Sequence, residues 1–354
     1  MRNRIVSIDI LRGITIAGMI LVNCHYGDTY SLLLHSKWNG ITPCDMVFPF
    51  FLFLVGLTTY LSLSKSNFQR SIQSVAKIIR RFLLIFLLGL CCNWALLVFA
   101  GNPFDFEHVR FWGVLQRIAV CYGITAFFAL YINHKYTLWV VFVLLVTHGA
   151  TLVLFNGYTP DETNIAALID NYIFGRNHLY SLSPVDPEGL LGTLSAIAHT
   201  LIGFYCGNII QNNKEYKDKA LSILIIGTCL FIMGYLFHYL LPLNKTIWSP
   251  SFAILTCGVA ASLLGILIYV IDIKGKQNWS KPLLVFGINP LFLYLFSEFL
   301  NAFFRATGIS ECIFEIFNLY LNSYNSSLVY SLILVFLCWV IGYILYKKNI
   351  YIKI

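Results

Sequence analysis

Charged side chains are scarce in this chain of 354 residues: Asp, Glu, Lys and Arg make up 11% of it, against about 25% in an average soluble domain. Hydrophobic residues make up 58%, which is more than one globular core can bury. Apolar stretches of roughly 20 residues, the length that crosses a hydrocarbon layer of about 30 Å, recur along the whole chain. The composition therefore argues against a soluble domain and predicts a single integral membrane domain, 1–354.

Several motifs that bind nucleotides or metals are absent as well. The chain has no G-x-x-x-x-G-K-[ST], G-x-G-x-x-G or H-E-x-x-H sequence. Its ten cysteines are scattered through apolar segments without C-x-x-C spacing, so we expect no metal and reduced thiols. A disulfide between Cys24 and Cys44 stays open at this stage, because both are predicted near the same membrane face. We also find no internal repeat, low-complexity tract or separate soluble domain.

The apolar stretches indicate helices. A membrane barrel would show segments of about ten residues that alternate in polarity, whereas runs such as FLLIFLLGLCCNWALLVFA are apolar on every side. We therefore predict an all-α fold with about ten transmembrane helices. The first stretch is interpreted as a retained helix rather than a signal peptide, because it contains Asp9 and Arg12 and lacks an A-x-A-like cleavage site. The predicted spans are 7–26, 45–64, 80–100, 112–132, 136–156, 189–210, 219–241, 252–273, 281–302 and 328–346.

Basic residues are distributed unevenly between the two sides of this arrangement. Ten spans place both termini on one side, and that side carries 17 of the 24 Lys and Arg residues, Arg2 and Arg4 among them, against six on the other side. The positive-inside rule then makes both termini cytoplasmic. The net charge of +8 mostly reflects this bias, so no nucleic-acid partner is expected. The longest loop, about 157–188, is predicted to cap the extracytoplasmic face.

Ionisable groups inside spans are costly and often mark functional sites. Asp9 and Arg12, three residues apart in the first span, share one helix face and can neutralise each other or contact a ligand. Asn23, His35 and Asp45 are predicted to converge at the outer mouth of the first two helices. Asp45 either caps the second helix or orients the His35 ring.

Three further concentrations of polar residues are candidate ligand contacts. Gln116 and Arg117 enter the fourth span at its outer end, where Arg117 is predicted to pair with Glu188 or Asp186. Asn289, followed by a proline, interrupts a helix and frees backbone groups to line a cavity. A cytoplasmic basic cluster can touch anionic lipid head groups or a polyphosphorylated ligand; it comprises Arg70, Lys77, Arg80 and Arg81.

Six segments in order over most of the chain resemble the heparan-α-glucosaminide N-acetyltransferase family of transmembrane acetyltransferases. They are IDILRGITIAGMILVN, HSKWNGITPCDMVFPFFLFLVG, WGVLQRIAVCY, DPEGLLGTLSAIAHTLIG, NKTIWSPSFAILTCGVAA and PLLVFGINPLFLYLFS. Lys37 stands within HSKWNG where a small residue is usual, and the chain starts close to the first of these segments. Both differences indicate a bacterial member in the inner membrane and leave the acceptor sugar open.

The resemblance implies a reaction and assigns roles to residues. Acetyl passes from cytosolic acetyl-CoA, the co-substrate, to the amine of a glucosamine-type sugar on the extracytoplasmic side, with His35 of the H-x-x-W-N-G motif and Asn23 at the active site. From its position at the start of the second helix, Asp45 is predicted to be the third catalytic residue. His35 acts as general base or carries the acetyl group itself, and Asn23 donates to the oxyanion. A homodimer is implied by the resemblance alone. Candidate substrate or cofactor contacts are Asp9, Arg12, Trp38, Asn39, Gln116, Arg117, Glu188 and Asn289.

Two other classes of function remain open from the residues themselves. A carrier for a sugar or an organic anion also has intramembrane charges and interrupted helices, although the inverted repeats expected of one are not visible. A haem or quinone protein is the third possibility, because His148, His199 and His238 lie in predicted spans. These histidines show no paired spacing on facing helices.

Overall fold

A computed structural model describes residues 5–181 and 183–352, so Arg2 and Arg4 lie outside the described residues. This part of the chain is helical and contains no strand, which confirms the predicted all-α fold. The helices are α1 Val6–Asn23, α2 Pro43–Leu63, α3 Ile72–Phe99, α4 Val114–Tyr131, α5 Thr137–Leu154, α6 Ile165–Phe174, α7 Leu190–Asn212, α8 Tyr216–Phe237, α9 Pro250–Leu267, α10 Lys281–Ile288, α11 Pro290–Ala306, α12 Ile309–Asn318 and α13 Ser323–Lys347.

Nine helical segments of the described chain are long and apolar enough to cross a membrane, or ten if one bent pair is a single span. That pair joins Asn278–Ile288 to Pro290–Ala306 with a bend of 78°, so the predicted span 281–302 is broken at the Asn289-Pro290 dipeptide. Proline lacks an N–H and cannot continue the hydrogen-bond ladder of α10. The chain is therefore an integral membrane protein with about ten spans, one of them interrupted.

The helices fall into a central group and a peripheral group. Most of α4 and α7 is buried, whereas little of α3, α8 and α13 is. Large apolar side chains project outward from α3, α5, α8 and α13. More than half of the surface is exposed in Leu87, Phe142, Leu236 and Phe336. Because such side chains are stable only against lipid, the peripheral helices form the lipid-facing surface of the bundle.

The interrupted span packs directly on the first helix. A Cβ atom at Gly13 would lie 1.8 Å from the carbonyl oxygen of Leu283, and one at Gly287 would lie 1.9 Å from that of Asp9. Only glycine permits this backbone approach. Arg12 Nη1 donates to the Gly287 carbonyl at 3.2 Å and pairs with Asp9 Oδ1 at 3.0 Å. The predicted Asp9–Arg12 pair is thus confirmed, and it supports the end of α10.

The connection between α1 and α2 brings functional side chains to one end of the bundle. Asn23 is the last residue of α1, and Thr42 with Asp45 forms a capping box at the start of α2. The predicted outer loop contains the short helix α6, which packs against α7. Trp38 Nε1 donates to the carbonyl oxygen of Tyr158 at 2.8 Å. The loop after α5 is thereby fixed over the α1–α2 connection.

Candidate active site

A cavity of about 530 Å³ lies at the end of the bundle where α1 ends and α2 begins. We call it the outer cavity, because this end of the bundle is the one predicted from the sequence to be extracytoplasmic; residues of α1, α2, α3, α4 and α11 and of the loops between them line it. Five of the residues predicted from the sequence line it: Asn23, His35, Asp45, Gln116 and Glu188. The predicted convergence of Asn23, His35 and Asp45 is therefore confirmed.

His35 and Asp45 form the closest polar pair in this wall. His35 Nδ1 lies 2.8 Å from Asp45 Oδ1, with half of the imidazole exposed and the carboxylate fully buried. Asp45 Oδ2 accepts from the backbone N–H groups of Ser36 and Thr42 at 3.2 and 3.0 Å. The aspartate both caps α2 and holds the ring. Because a carboxylate at this distance accepts the Nδ1–H, the lone pair of neutral His35 is on Nε2.

Two residues that sequence analysis did not select also contact His35. Lys245 Nζ lies 2.9 Å from Nδ1 and 3.1 Å from Nε2, and 3.7 Å from Asp45 Oδ1. Burial lowers the pKa of Lys245 although Asp45 opposes this shift. Cys44 Sγ lies 3.0 Å from Nδ1. Lys245 stands in the quoted segment NKTIWSPSF, but 210 residues separate it from His35, so chain position gave no indication of the contact.

Arg110 forms an ion-pair network with Asp186 and Glu188 above the cavity. Its Nη2 contacts Asp186 Oδ1 and lies 2.6 Å from Glu188 Oε2. Burial would raise the pKa of Glu188, but Arg110 outweighs it and the pKa is lowered. Arg110 is partly buried, which lowers its pKa, but the two carboxylates outweigh this effect and raise it. The predicted pairing of Arg117 with these acids is wrong, because Arg110, one turn before α4 begins, occupies that position.

Arg117 has a structural position instead. The side chain is fully buried, its Nη2 donates to the carbonyl oxygen of Gly189 at 2.8 Å, and its guanidinium carbon lies 5.0 Å from the centre of the Trp248 ring. Arg117 does not line the outer cavity. It joins α4 to the start of α7 and to the loop before α9.

Asn23 faces Glu298 of α11 within the outer cavity. Its Nδ2 donates to Glu298 Oε1 at 3.3 Å, which leaves the second N–H of the amide for another acceptor. Glu298 immediately follows a quoted segment of the resemblance and was not selected. Glu298 could have been selected from the sequence, because a carboxylate inside an apolar span often marks a functional site.

The floor of the outer cavity is one helical turn from a second cavity. Gln116 is buried and lies against Gly89, where a Cβ would come within 2.7 Å of its Oε1; its Nε2 makes no hydrogen bond in the described chain. A cavity of about 410 Å³ on the opposite side of the floor is lined by Arg12 and Arg81, among others. On each of α3, α4 and α11, a residue that lines the outer cavity is three or four positions from a residue that lines the second cavity, a rise of about 4.5–6 Å along the helix. The pairs are Gly89 and Ile85, Leu115 and Ile118, and Tyr294 and Leu291.

The remaining predicted contacts lie outside the outer cavity. Asn39 Oδ1 accepts from Asn244 Nδ2 at 3.2 Å, and Trp38 is held by Tyr158. Asn289 Nδ2 donates to the Ile350 carbonyl at 3.0 Å, and its Oδ1 accepts from Ile352 N at 2.8 Å. These contacts position loops and the segment 350–352, which borders the second, inner cavity through Ile352.

No group of three or more His, Cys, Asp and Glu residues in this part of the chain is placed to hold a metal ion. All ten cysteines are free, Cys24 and Cys44 among them, so the disulfide left open from the sequence is not formed. His148 Nδ1 contacts Ser195 Oγ at 2.5 Å.

The fold and site define a polytopic helical membrane protein with a His–Asp pair in a polar cavity at one end. A sequence model of a protein family, described as the catalytic region of heparan-alpha-glucosaminide N-acetyltransferase, matches residues 4–175. The mouse and human proteins named heparan-alpha-glucosaminide N-acetyltransferase are each 28% identical over 99% of this chain. The chain spans 61% and 60% of their lengths. The chain is thus similar to the heparan-alpha-glucosaminide N-acetyltransferase family, the resemblance that its motifs predicted.

Proposed function

We propose that this protein is a bacterial inner-membrane enzyme that transfers acetyl from cytosolic acetyl-CoA to the amino group of a glucosamine-type sugar on the extracytoplasmic side. The observation that carries the proposal is the contact of His35 with Asp45, in one cavity with Asn23. The matched relatives bear the name of an N-acetyltransferase, which supports the same class of reaction.

The two cavities suit a donor that is too polar to cross lipid. Coenzyme A carries several negative charges, whereas its pantetheine arm is neutral and can enter a protein-lined slot. Arg12 and Arg81 line the inner cavity and would hold phosphate groups there. One helical turn separates this cavity from the outer one, with Gln116 at the boundary. Displacement of the Gln116 amide would open a passage for the thioester to His35.

The outer cavity contains the groups that acyl transfer to an amine needs. His35 Nε2 accepts a proton from the acceptor amine as its nitrogen attacks the thioester carbonyl, while Asp45 holds the ring in the required tautomer. The free N–H of Asn23 donates to the oxyanion of the tetrahedral intermediate. Lys245, whose pKa is lowered by burial, lies at the same imidazole and passes the proton on. An intermediate acetylated on His35 is the alternative route.

The test is acetyl transfer across a bilayer. The purified protein is reconstituted in vesicles, radiolabelled acetyl-CoA is supplied on one side and glucosamine on the other, and labelled N-acetylglucosamine is measured. We expect transfer by the wild type and its loss in His35→Ala. His108→Ala is the control, because His108 forms an equivalent 2.7 Å pair with Asp105 in an exposed loop outside the cavity. Absence of transfer by the wild type to any amino sugar, or an equal loss in both variants, contradicts the proposal.

A carrier is the second candidate, favoured by one observation: two cavities, one helical turn apart, lie beside a span bent by 78°. Interrupted helices of this kind form substrate sites in transporters. The same vesicles distinguish the two functions. A carrier accumulates unmodified labelled glucosamine without acetyl-CoA, whereas the enzyme consumes acetyl-CoA and releases the acetylated sugar.

A further inference from the structure

The three carboxylates that line the outer cavity differ in what they bind. Asp45 contacts His35 and accepts from Ser36 and Thr42. Glu188 is paired with Arg110 at 2.6 Å. Glu298 accepts one hydrogen bond, from the neutral amide of Asn23 at 3.3 Å.

Glu298 therefore has no cationic partner among the described residues. Among the described residues, no Lys, Arg or His nitrogen lies within 4.0 Å of its carboxylate. Arg305, two turns further along α11, donates to the His25 carbonyl at 2.5 Å and lies over the Tyr26 ring at 5.7 Å. An uncompensated carboxylate in an apolar span is unfavourable, so its presence beside Asn23 and His35 requires a functional explanation.

The position of Glu298 also connects two spaces. A side recess of about 360 Å³ lies between the ends of α3 and α11, and Glu298 and Leu96 line both this recess and the outer cavity. A ligand bound to the carboxylate can thus extend into the recess while its reactive group points toward the cavity. The recess also presents Asn301 and Arg305, polar side chains suited to the hydroxyl groups of a sugar.

We propose that Glu298 binds the protonated amine of the acceptor and delivers it to His35, an inference that rests on the proposed acetyl transfer. The acceptor enters as an ammonium ion, which supplies the missing cation and up to three N–H donors. Asn23, which lies beside Glu298, supplies an amide N–H donor. Glu298 remains a carboxylate throughout and makes no covalent bond.

The acceptor loses its positive charge during the reaction, as the proton balance shows. The ammonium releases one proton to His35, its nitrogen forms the bond to the acetyl carbon, and the carbon–sulfur bond breaks. The amide nitrogen releases a second proton to the departing thiolate of coenzyme A. The product is a neutral amide, so it loses the charge interaction with Glu298 that held the substrate. Binding therefore favours the acceptor over the product.

Binding measurements test the inference without requiring turnover. Titration calorimetry of the purified wild type with glucosamine should give binding that N-acetylglucosamine and glucose, which lack the positive charge, do not reproduce. Glu298→Gln retains an oxygen acceptor for Asn23 but removes the negative charge. We expect it to weaken glucosamine binding at least about tenfold, the size of a charged hydrogen bond. Glu315→Gln is the control, since Glu315 lies on α12 outside the cavity.

Kinetics separate binding of the amine from positioning of Asn23. If Glu298 binds the ammonium, Glu298→Gln raises KM for the acceptor while KM for acetyl-CoA stays at the wild-type value. If Glu298 only orients Asn23, kcat falls and glucosamine binding stays at the wild-type level, which overturns the inference. Equal binding of glucosamine and glucose by the wild type overturns it too. Should Glu298→Gln fail to fold, judged by its elution in detergent, the comparison of these ligands on the wild type decides.

Discussion

The outer and inner cavities lie one helical turn apart yet differ in construction. The outer cavity is formed by helix ends and loops, and it gathers His35, Lys245 and three carboxylates. The inner cavity is formed by the sides of helices, and its charged lining residues are Arg12 and Arg81. Helix ends and loops bring residues distant in sequence together, whereas helix sides present one residue per turn.

This difference divides the proposed reaction between the two spaces. Proton transfer needs several groups in mutual contact, and the outer cavity has them. Holding a polyanion needs positive charge and room, and the inner cavity has those. Variants in the outer cavity should therefore change kcat, acceptor binding or stability, and variants in the inner cavity should change KM for the donor.

The largest effect is expected from Asp45→Asn. Asparagine has nearly the same shape as aspartate and can still cap α2, but its amide can no longer fix the His35 tautomer. We therefore expect kcat to fall by about a thousandfold. Initial rates at saturating donor and acceptor measure this. Asp105→Asn breaks the exposed His108 pair and should leave kcat unchanged. A similar fall in both variants, or a donor KM that changes instead of kcat, contradicts the assignment of chemistry to the outer cavity.

Arg110→Met should have the largest effect on stability. It leaves the buried carboxylates of Asp186 and Glu188 without their cation, at a cost of about 3 kcal/mol. Thermal unfolding in detergent measures the loss. Arg176→Met is the control, because Arg176 is exposed and only donates to loop carbonyls. Adding Glu188→Gln to Arg110→Met should restore part of the lost stability; no recovery argues that Arg110 acts through packing rather than charge.

The sequence predicts the spans better than it predicts the site. Apolar length determines each helix, and Pro290 marks the break correctly. The His35–Asp45 contact was predictable because both residues flank one helix start. Lys245 was missed because folding alone brings it to the cavity, whereas Glu298 is a carboxylate in an apolar span and could have been selected from the sequence. Arg117 was chosen over Arg110 because it lies in a span, but Arg110 sits in the loop that reaches the acids, and loop geometry is not encoded in a periodic pattern.

Arg81→Ala tests the inner cavity. Arg81 lines it and lies over the Tyr122 ring at 4.6 Å. Loss of one phosphate contact should raise KM for acetyl-CoA about tenfold with kcat nearly constant. Arg80→Ala is the matched control, since the adjacent exposed arginine does not line the cavity. Equal increases in both variants would mean that surface charge, rather than the cavity, attracts the donor.

The smallest effect concerns the loop that covers the outer cavity, and it depends on pH. Burial raises the pKa of Asp170, on α6, to about 6, while its Oδ1 accepts from Leu190 N at the start of α7. The folded state thus holds this proton more tightly than the unfolded state, so stability falls as pH rises from about 4 to about 6 and then levels off. Asp170→Asn should flatten that slope in thermal unfolding, by a few degrees at most. Asp161→Asn, on the exposed part of the same loop, should leave the slope in place, because hydrogen bonds from Thr163 lower the pKa of Asp161. A slope that persists in Asp170→Asn would assign the pH dependence to another acid.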